Sequence, residues 1–325
     1  MSEDYLKLQL LAHPLSSVDF ATLHSMFESP FVARQHVGDS ASTSDYKPRI
    51  WRWLLGTAII VIFWQAGGVA LILAAAKFFG VPVEELETFP DVAPWKAAFI
   101  TLISFVPLFF VVPFLYRLLL QLPFKRLITS REKVSFRRIW HGFIVMSALI
   151  VPLSAIDLFL NGEDYRYTFD LALFWPYLII ALTLLPIQTT AEEFFFRGWL
   201  LRWVSSGRLP IWLVVFINSS LFALPHMFNP EVKDYYLIAF IYFTSMGAML
   251  TIATLRDKSL ELAIGAHFAN NFLTGVLVSY QDSALPSAAL LMSGELDWIG
   301  STVTAVLMVP LFLWLTRPRV ESEQR

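Results

Sequence analysis

The chain has 325 residues, 56% hydrophobic and 15% charged, with a mean hydropathy of +0.60. A soluble domain usually carries about 45–50% apolar and about 25% charged residues, so this composition reads as an all-α, polytopic membrane protein. The same numbers exclude intrinsic disorder, the absence of Cys excludes disulfides, thiol nucleophiles and thiolate metal sites, and a net charge of −2 offers no basic field to nucleic acid.

Residues 1–50 hold polar groups such as Asp4, Lys7, His13, Arg34 and Asp45 and are expected to form an N-terminal cytoplasmic tail. The start, Met1-Ser2-Glu3-Asp4, is acidic and has no basic n-region, so no cleavable signal peptide is expected. Residues 51–320 are expected to form one transmembrane bundle. Apolar stretches near the ~20 residues needed to cross hydrocarbon fall at 54–76, 97–116, 139–160, 171–188, 211–228, 236–255, 260–280 and 298–316, about eight spans.

The loops test that count. Segment 117–138 carries Arg117, Lys125, Arg126, Arg131, Lys133, Arg137 and Arg138 against Glu132. Further basic residues are Arg202 and Arg208, Arg256 and Lys258, and Arg317, Arg319 and Arg325. The alternate loops, from Glu84 to Asp91, Glu163 to Asp170, Glu231 to Asp234 and Asp282 to Asp297, hold 12 acids against four bases once Lys77, Lys96, Arg166 and Lys233 are included. Basic loops stay in the cytoplasm, so both termini are expected there. Trp51, Trp53, Trp95, Trp140, Trp175 and Trp298 stand at span edges, as interfacial belts require.

Ionisable groups inside a bilayer cost several kcal/mol and need a reason, and here they cluster in the second half. Glu192-Glu193-Phe194-Phe195-Phe196-Arg197 places Glu193 and Arg197 four apart on one helix face, with Glu192 about 100° away. A carboxyl group among phenylalanines is a setting a general base or proton carrier uses; a structural ion pair at a helix end explains the cluster equally well. Phe222-Ala223-Leu224-Pro225-His226 brings one His near the end of the fifth span. His267-Phe268-Ala269-Asn270-Asn271 projects His267 and Asn271 from one face, to hold an oxyanion or to hydrogen-bond between helices. Convergent polar groups in an apolar bundle are the default site.

One conflict remains at this level. Measured from the turn at 206–210, Glu192 and His226 lie roughly 21–24 Å deep, whereas His267, measured from 256–260, lies about 10 Å deep. A straight helix over 171–206 would be about 54 Å long, so either helices tilt or break, with Pro186 supporting a break, or the span limits are shifted; an intramembrane site is expected.

The ordered set EExxxR, FxxxH and HxxxN on successive membrane helices resembles the CPBP family of intramembrane glutamic proteases, once called the Abi or CAAX amino-terminal protease family. That family includes Ras-converting CaaX endopeptidases and bacterial bacteriocin-processing and self-immunity proteins. The match covers about 170–280, as a catalytic core. The resemblance implies peptide-bond hydrolysis by Glu-activated water. Glu192 would be the base, His226 would hold the water, and His267 and Asn271 would stabilise the oxyanion. Glu193, Arg197 and Phe222 would support them. It implies no cofactor and a membrane-bound or lipidated peptide or protein substrate, prenylated or not, in an integral membrane setting such as a bacterial plasma membrane. Read without the family, Glu with two His could also ligate zinc, as in a membrane metalloprotease. A non-catalytic scaffold or immunity protein and a proton-coupled transporter complete the alternatives.

Overall fold

A computed structural model describes residues 48–317 except 87, 88 and 90, so the expected N-terminal tail lies almost wholly outside the described residues. The helices are α1 (Ile50–Phe79), α2 (Pro94–Ile103), α3 (Val106–Leu120), α4 (Phe124–Ile128), α5 (Phe136–Leu160), α6 (Leu171–Glu193), a π-helical segment (Phe194–Leu200), α7 (Leu201–Ser205), α8 (Ile211–His226), α9 (Tyr236–Asp257), α10 (Glu261–Val276) and α11 (Trp298–Leu315). Local chemistry sets several ends. Gly80 closes α1 in the left-handed region at φ 69°, its N–H donating to Ala76 and Lys77 carbonyls. Asp170 opens α6 by accepting from the Ala172 N–H, and Asp297 opens α11 by accepting from Ile299 and Gly300.

Six stretches are long and apolar enough to cross a membrane among the described residues: Ile50–Phe79, Pro94–Leu120, Phe136–Leu160, Leu171–Ser205, Tyr236–Asp257 and Trp298–Leu315. The protein is a multi-span helical membrane bundle. The expected count of eight is not reached, because α8 and α10 have 16 residues each, about 24 Å of helix. Helix α10 is buried by α5, α6 and α9, which relieves it of spanning lipid on its own. In α5 the most apolar stretch has a mean hydropathy of 2.3, yet only 6% of it is buried within the bundle. Apolar surface of that kind needs lipid around it.

Glycine sets the tightest contact. A Cβ on Gly265 of α10 would meet the Ile139 backbone carbonyl of α5, and one on Gly142 of α5 would meet that of Leu262 on α10. The two backbones therefore touch, the small-residue packing that membrane helices use where no hydrophobic drive separates helix from lipid. Two tryptophans depart from the belt pattern. Trp51, Trp140 and Trp175 are exposed, but Trp53 sits edge-on against Trp199 with ring centres 5.0 Å apart, and Trp298 is buried against Tyr242 and Phe243.

A small sheet, absent from the sequence expectation, joins the acidic loops: β1 (Tyr165–Tyr167), β2 (Val278–Tyr280) and β3 (Leu291–Ser293), in the order β1-β3-β2. Strand β3 is antiparallel to β1 and parallel to β2. Each strand has three residues, below the length at which periodicity is legible.

Replacing Gly265 by Leu is expected to force α5 and α10 apart and to cost about 1–3 kcal/mol or more. Thermal unfolding in detergent checks this, with Gly162→Ala as the control, since nothing lies within 4 Å of a Cβ there.

Candidate active site

Helix α6 does not break at Pro186; it runs to Glu193 and then changes to a π-helix over Phe194–Leu200. π-Segments interrupt the regular hydrogen-bond ladder and recur at functional sites. The Phe196 carbonyl accepts from Asn218 Nδ2 at 2.8 Å, and Asn218 Oδ1 accepts from the Thr251 hydroxyl at 2.8 Å. Asn218 and Thr251 thus tie the π-segment to α8 and α9, a role that no pattern in the sequence signals.

Glu193 and Arg197 are both fully buried. Arg197 Nη1 donates to Glu193 Oε1 at 2.9 Å, Nη2 donates to the Gly247 carbonyl at 3.1 Å, and the guanidinium lies 4.2 Å from the centre of the Phe222 ring. A Cβ on Gly247 would press on Phe222 and Ser219 at 3.1 Å, so glycine is what lets α9 come close enough to offer that carbonyl. His267 Nδ1 is 2.9 Å from the same Glu193 oxygen. A carboxylate paired with arginine only accepts, so Nδ1 carries the hydrogen and Nε2 faces the cavity, 3.6 Å from Glu192 Oε2.

Glu192 points away from Arg197, as the helix geometry predicts. Its Oε1 accepts from Gln188 Nε2 at 2.8 Å, and its buried Oε2 has no hydrogen-bond partner among the described residues. Gln188 Oε1 in turn accepts from Asn271 Nδ2 at 3.0 Å, and Asn271 Oδ1 accepts from Asn270 at 3.1 Å. A chain of amides therefore ends on Glu192. Gln188 belongs to none of the three motifs, although an amide one turn before Glu192 in an apolar helix is a signal that the sequence carries. His226 stacks on Phe243 with ring centres 4.3 Å apart, and its Nδ1 lies 2.9 Å from the Phe222 carbonyl. That carbonyl can only accept, so His226 also carries its hydrogen on Nδ1 and offers a bare Nε2.

The conflict in depth disappears in the folded chain. Helix α4 abuts both neighbouring segments: Leu127 packs on Gly198 and its carbonyl accepts from Arg202, while the Ile128 carbonyl accepts from the Leu260 N–H at 2.8 Å. From that shared level Glu192 is six residues away and His267 seven, about 9–10 Å for both. The α7–α8 turn extends about 10 Å further out, which made depths measured from it too large.

Glu192, His226, His267, Gln188 and Asn271 line one cavity of about 1390 Å³. A small-molecule pocket usually holds about 300–1,000 Å³, so this space exceeds what such a ligand needs. Among the described residues its charged lining consists of Asp157, Asp164, Glu192, Glu231, Glu295 and Asp297, with no Lys or Arg. Glu231 lies outside the spanning helices, where burial pushes its carboxyl above the usual range. Asp164, Glu295 and Asp297 are exposed at the mouth. Among the described residues no group of three or more His, Asp or Glu is placed to hold a metal ion, so the zinc alternative gains nothing from the geometry.

Arg197→Leu is expected to cost about 3–5 kcal/mol, since Glu193 would be left buried without its cation, and the double change Glu193→Gln with Arg197→Leu is expected to recover part of that loss. Thermal unfolding of the two variants and the unaltered protein in detergent measures it.

The seven residues singled out from the sequence, Glu192, Glu193, Arg197, Phe222, His226, His267 and Asn271, all fall within 172–273, the segment that matches the family described as Type II CAAX prenyl endopeptidase Rce1-like. The chain is also 31% identical over 289 residues to YyaK, an uncharacterized protein of Bacillus subtilis (strain 168), across 85% of this chain and 95% of that one. A likeness of that extent, with the family pattern carried by the helices that build the cavity, makes this chain a member of the Rce1-like CAAX prenyl endopeptidase family.

Proposed function

We propose that the protein is an intramembrane endopeptidase that hydrolyses a peptide bond of a membrane-associated substrate with water activated by Glu192. The observation that carries this reading is the carboxyl of Glu192. One oxygen is held by Gln188, and the other lies in a large cavity beside His267 with no hydrogen-bond partner among the described residues. In this reading residues of about 170–280 are the catalytic core, and the loop charges favour a cytoplasmic location for both termini.

In this mechanism Glu192 takes a proton from water whose other hydrogen bonds to the bare Nε2 of His226. The water oxygen attacks the scissile carbonyl, forming the C–O bond. Asn271 donates to the oxyanion, as does His267 Nε2 when the ring carries both protons, with Glu193 holding its Nδ1 end. Glu192 then passes its proton to the leaving nitrogen as the C–N bond breaks. No side chain becomes covalently attached, and Arg197 and Phe222 keep Glu193 in place.

The alternatives differ in outcome. Glu192→Gln keeps the size and the Gln188 contact but cannot act as a base, and cleavage is expected to fall about 10²–10⁴-fold. Asn271→Ala is expected to lose about 10²–10³-fold. Both are measured by mass spectrometry of membrane-bound and lipidated peptides incubated with detergent-solubilised protein. Cleavage that survives in Glu192→Gln sinks the mechanism, and cleavage abolished by a chelator moves the reading to zinc.

The sign of the cavity wall gives a second test. Peptides with Lys or Arg beside the scissile bond are expected to be cut about tenfold faster than those with Asp or Glu, and added salt is expected to shrink the difference.

A further inference from the structure

Six carboxamide side chains line the cavity at Glu192: Gln65, Asn161, Gln188, Asn229, Asn270 and Asn271. Five of them are bonded. Gln188, Asn270 and Asn271 form the chain that ends on Glu192, Asn161 donates to Asp157 at 2.7 Å, and Asn229 donates to Glu231 at 3.0 Å. Gln65 alone makes no hydrogen bond to a described residue.

Its place in α1 makes that unfavourable. Gln65 is the sixteenth of the 30 residues of α1, about 21–23 Å from either end, in a helix apolar enough to span. Hydrocarbon offers an amide nothing to bond, and neither interface is within reach from there. Thr57, the other polar side chain of α1 away from its ends, already accepts from Trp199 Nε1 at 2.9 Å. Contacts on both sides of Gln65 fix the helix. Trp64 lies edge-on to Phe195 with ring centres 6.3 Å apart, and a Cβ on Gly68 would meet the Ser104 carbonyl at 3.0 Å. Gln65 thus shares one stripe with Val61, Val69 and Ile72, all of which line the cavity.

The register sets its level. Thr57 meets Trp199 and Trp64 meets Phe195, so α1 runs antiparallel to the π-segment. From the Thr57–Trp199 bond, Gln65 is eight residues along α1 and Glu192 seven residues back, about 10–12 Å for both. A carboxamide carries a donor and an acceptor at one tip. An extended residue turns its own N–H and C=O to one side, as in paired strands, and offers the matching pair. Trp64, Phe105 and Phe195 beside the stripe are apolar, a setting for a neutral partner rather than a charged one.

We propose that Gln65 binds the backbone of an extended peptide at the level of Glu192, accepting from the N–H and donating to the C=O of one residue. It is a substrate-binding residue from α1, outside the 172–273 segment that carries the family pattern. The proposal rests on the proteolytic reading for the peptide as substrate; the bond itself is formed whether or not the peptide is cut.

The test uses the full chain in detergent and a short palmitoylated alanine peptide with lysines at its centre. Binding is read by fluorescence anisotropy in the Glu192→Gln protein, so that no cleavage intervenes. Adding Gln65→Leu is expected to raise Kd about tenfold. A series of peptides then replaces one backbone N–H at a time by an ester oxygen. One position is expected to cost about tenfold with Gln65 present and nothing in the Gln65→Leu protein. Equal binding by both proteins, none included, overturns the proposal, as does an ester series with the same losses in both. Leucine suits a spanning helix, so the melting temperature is expected to hold; Gln65→Met, of similar length without the amide, is expected to give the same result. If Gln65→Leu dissociates an oligomer in sedimentation, the amide joins two chains and the proposal falls. With Glu192 intact, Gln65→Leu is expected to raise KM about tenfold and leave kcat within about twofold, since the bond precedes the chemistry. A fall in kcat at unchanged KM overturns the proposal. Weaker binding in Gln65→Leu with no cleavage by any form upholds the role of Gln65 and overturns the proteolytic reading, so the two failures are distinct.

Discussion

The buried pair of Glu193 and Arg197 is the contact on which the site depends. A guanidinium with no exposure, set among Phe196 and Phe222, is tolerable only when its charge is matched and its N–H groups are used. Glu193 supplies the charge, the Gly247 carbonyl takes a second donor, and the Phe222 face takes the flat of the group. The pair then fixes two further residues. Glu193 holds the Nδ1 end of His267, which aims Nε2 into the cavity. Because consecutive helical residues diverge by about 100°, committing Glu193 to Arg197 leaves Glu192 to face Gln188, His267 and the cavity. Two adjacent acids of the same type thereby acquire different surroundings without any special backbone conformation at either.

The amide chain from Asn270 through Asn271 and Gln188 to Glu192 links α10 to α6 across the cavity floor. It sits on a rigid frame, since α10 is locked to α5 by backbone contact at Gly142 and Gly265. The bundle is otherwise apolar and faces lipid, so its polar groups are concentrated where they satisfy one another. The charged lining of the cavity is different in kind: among the described residues it is acidic and, apart from Glu192, lies toward the acidic loops, while the paired charges of Arg131, Arg138, Asp257 and Glu261 lie at the opposite end of the bundle.

Much of this architecture was legible beforehand. Helix makes up most of every apolar stretch read from the sequence, although 260–280 ends in β2, and the stretches 54–76, 97–116, 139–160, 171–188, 236–255 and 298–316 coincide with the six long enough to span. Pairing of Glu193 with Arg197 followed from i, i+4 spacing, which is a local property. Trp53 and Trp298 were misjudged because an edge position on a span is the same whether the ring turns to lipid or to Trp199 and Tyr242. The small sheet was missed because three-residue strands carry no period, and the break at Pro186 did not appear because a proline in a membrane helix is tolerated where neighbours satisfy the freed groups.

The sequence by itself determined the membrane class, the alternation of basic and acidic loops, and the three polar motifs, because composition, charge and helical spacing are local quantities. Only the tertiary structure decided which residues meet. It brought His267 to Glu193 across 74 positions and Asn271 to Gln188 across 83, distances over which a one-dimensional pattern holds no geometric information. It also set the common depth of Glu192 and His267, since that depends on where α4 docks rather than on where the loops fall in the chain. The core beside the site is likewise a product of packing: Leu127, Phe194, Trp199 and Leu260 meet only once four separate segments are assembled.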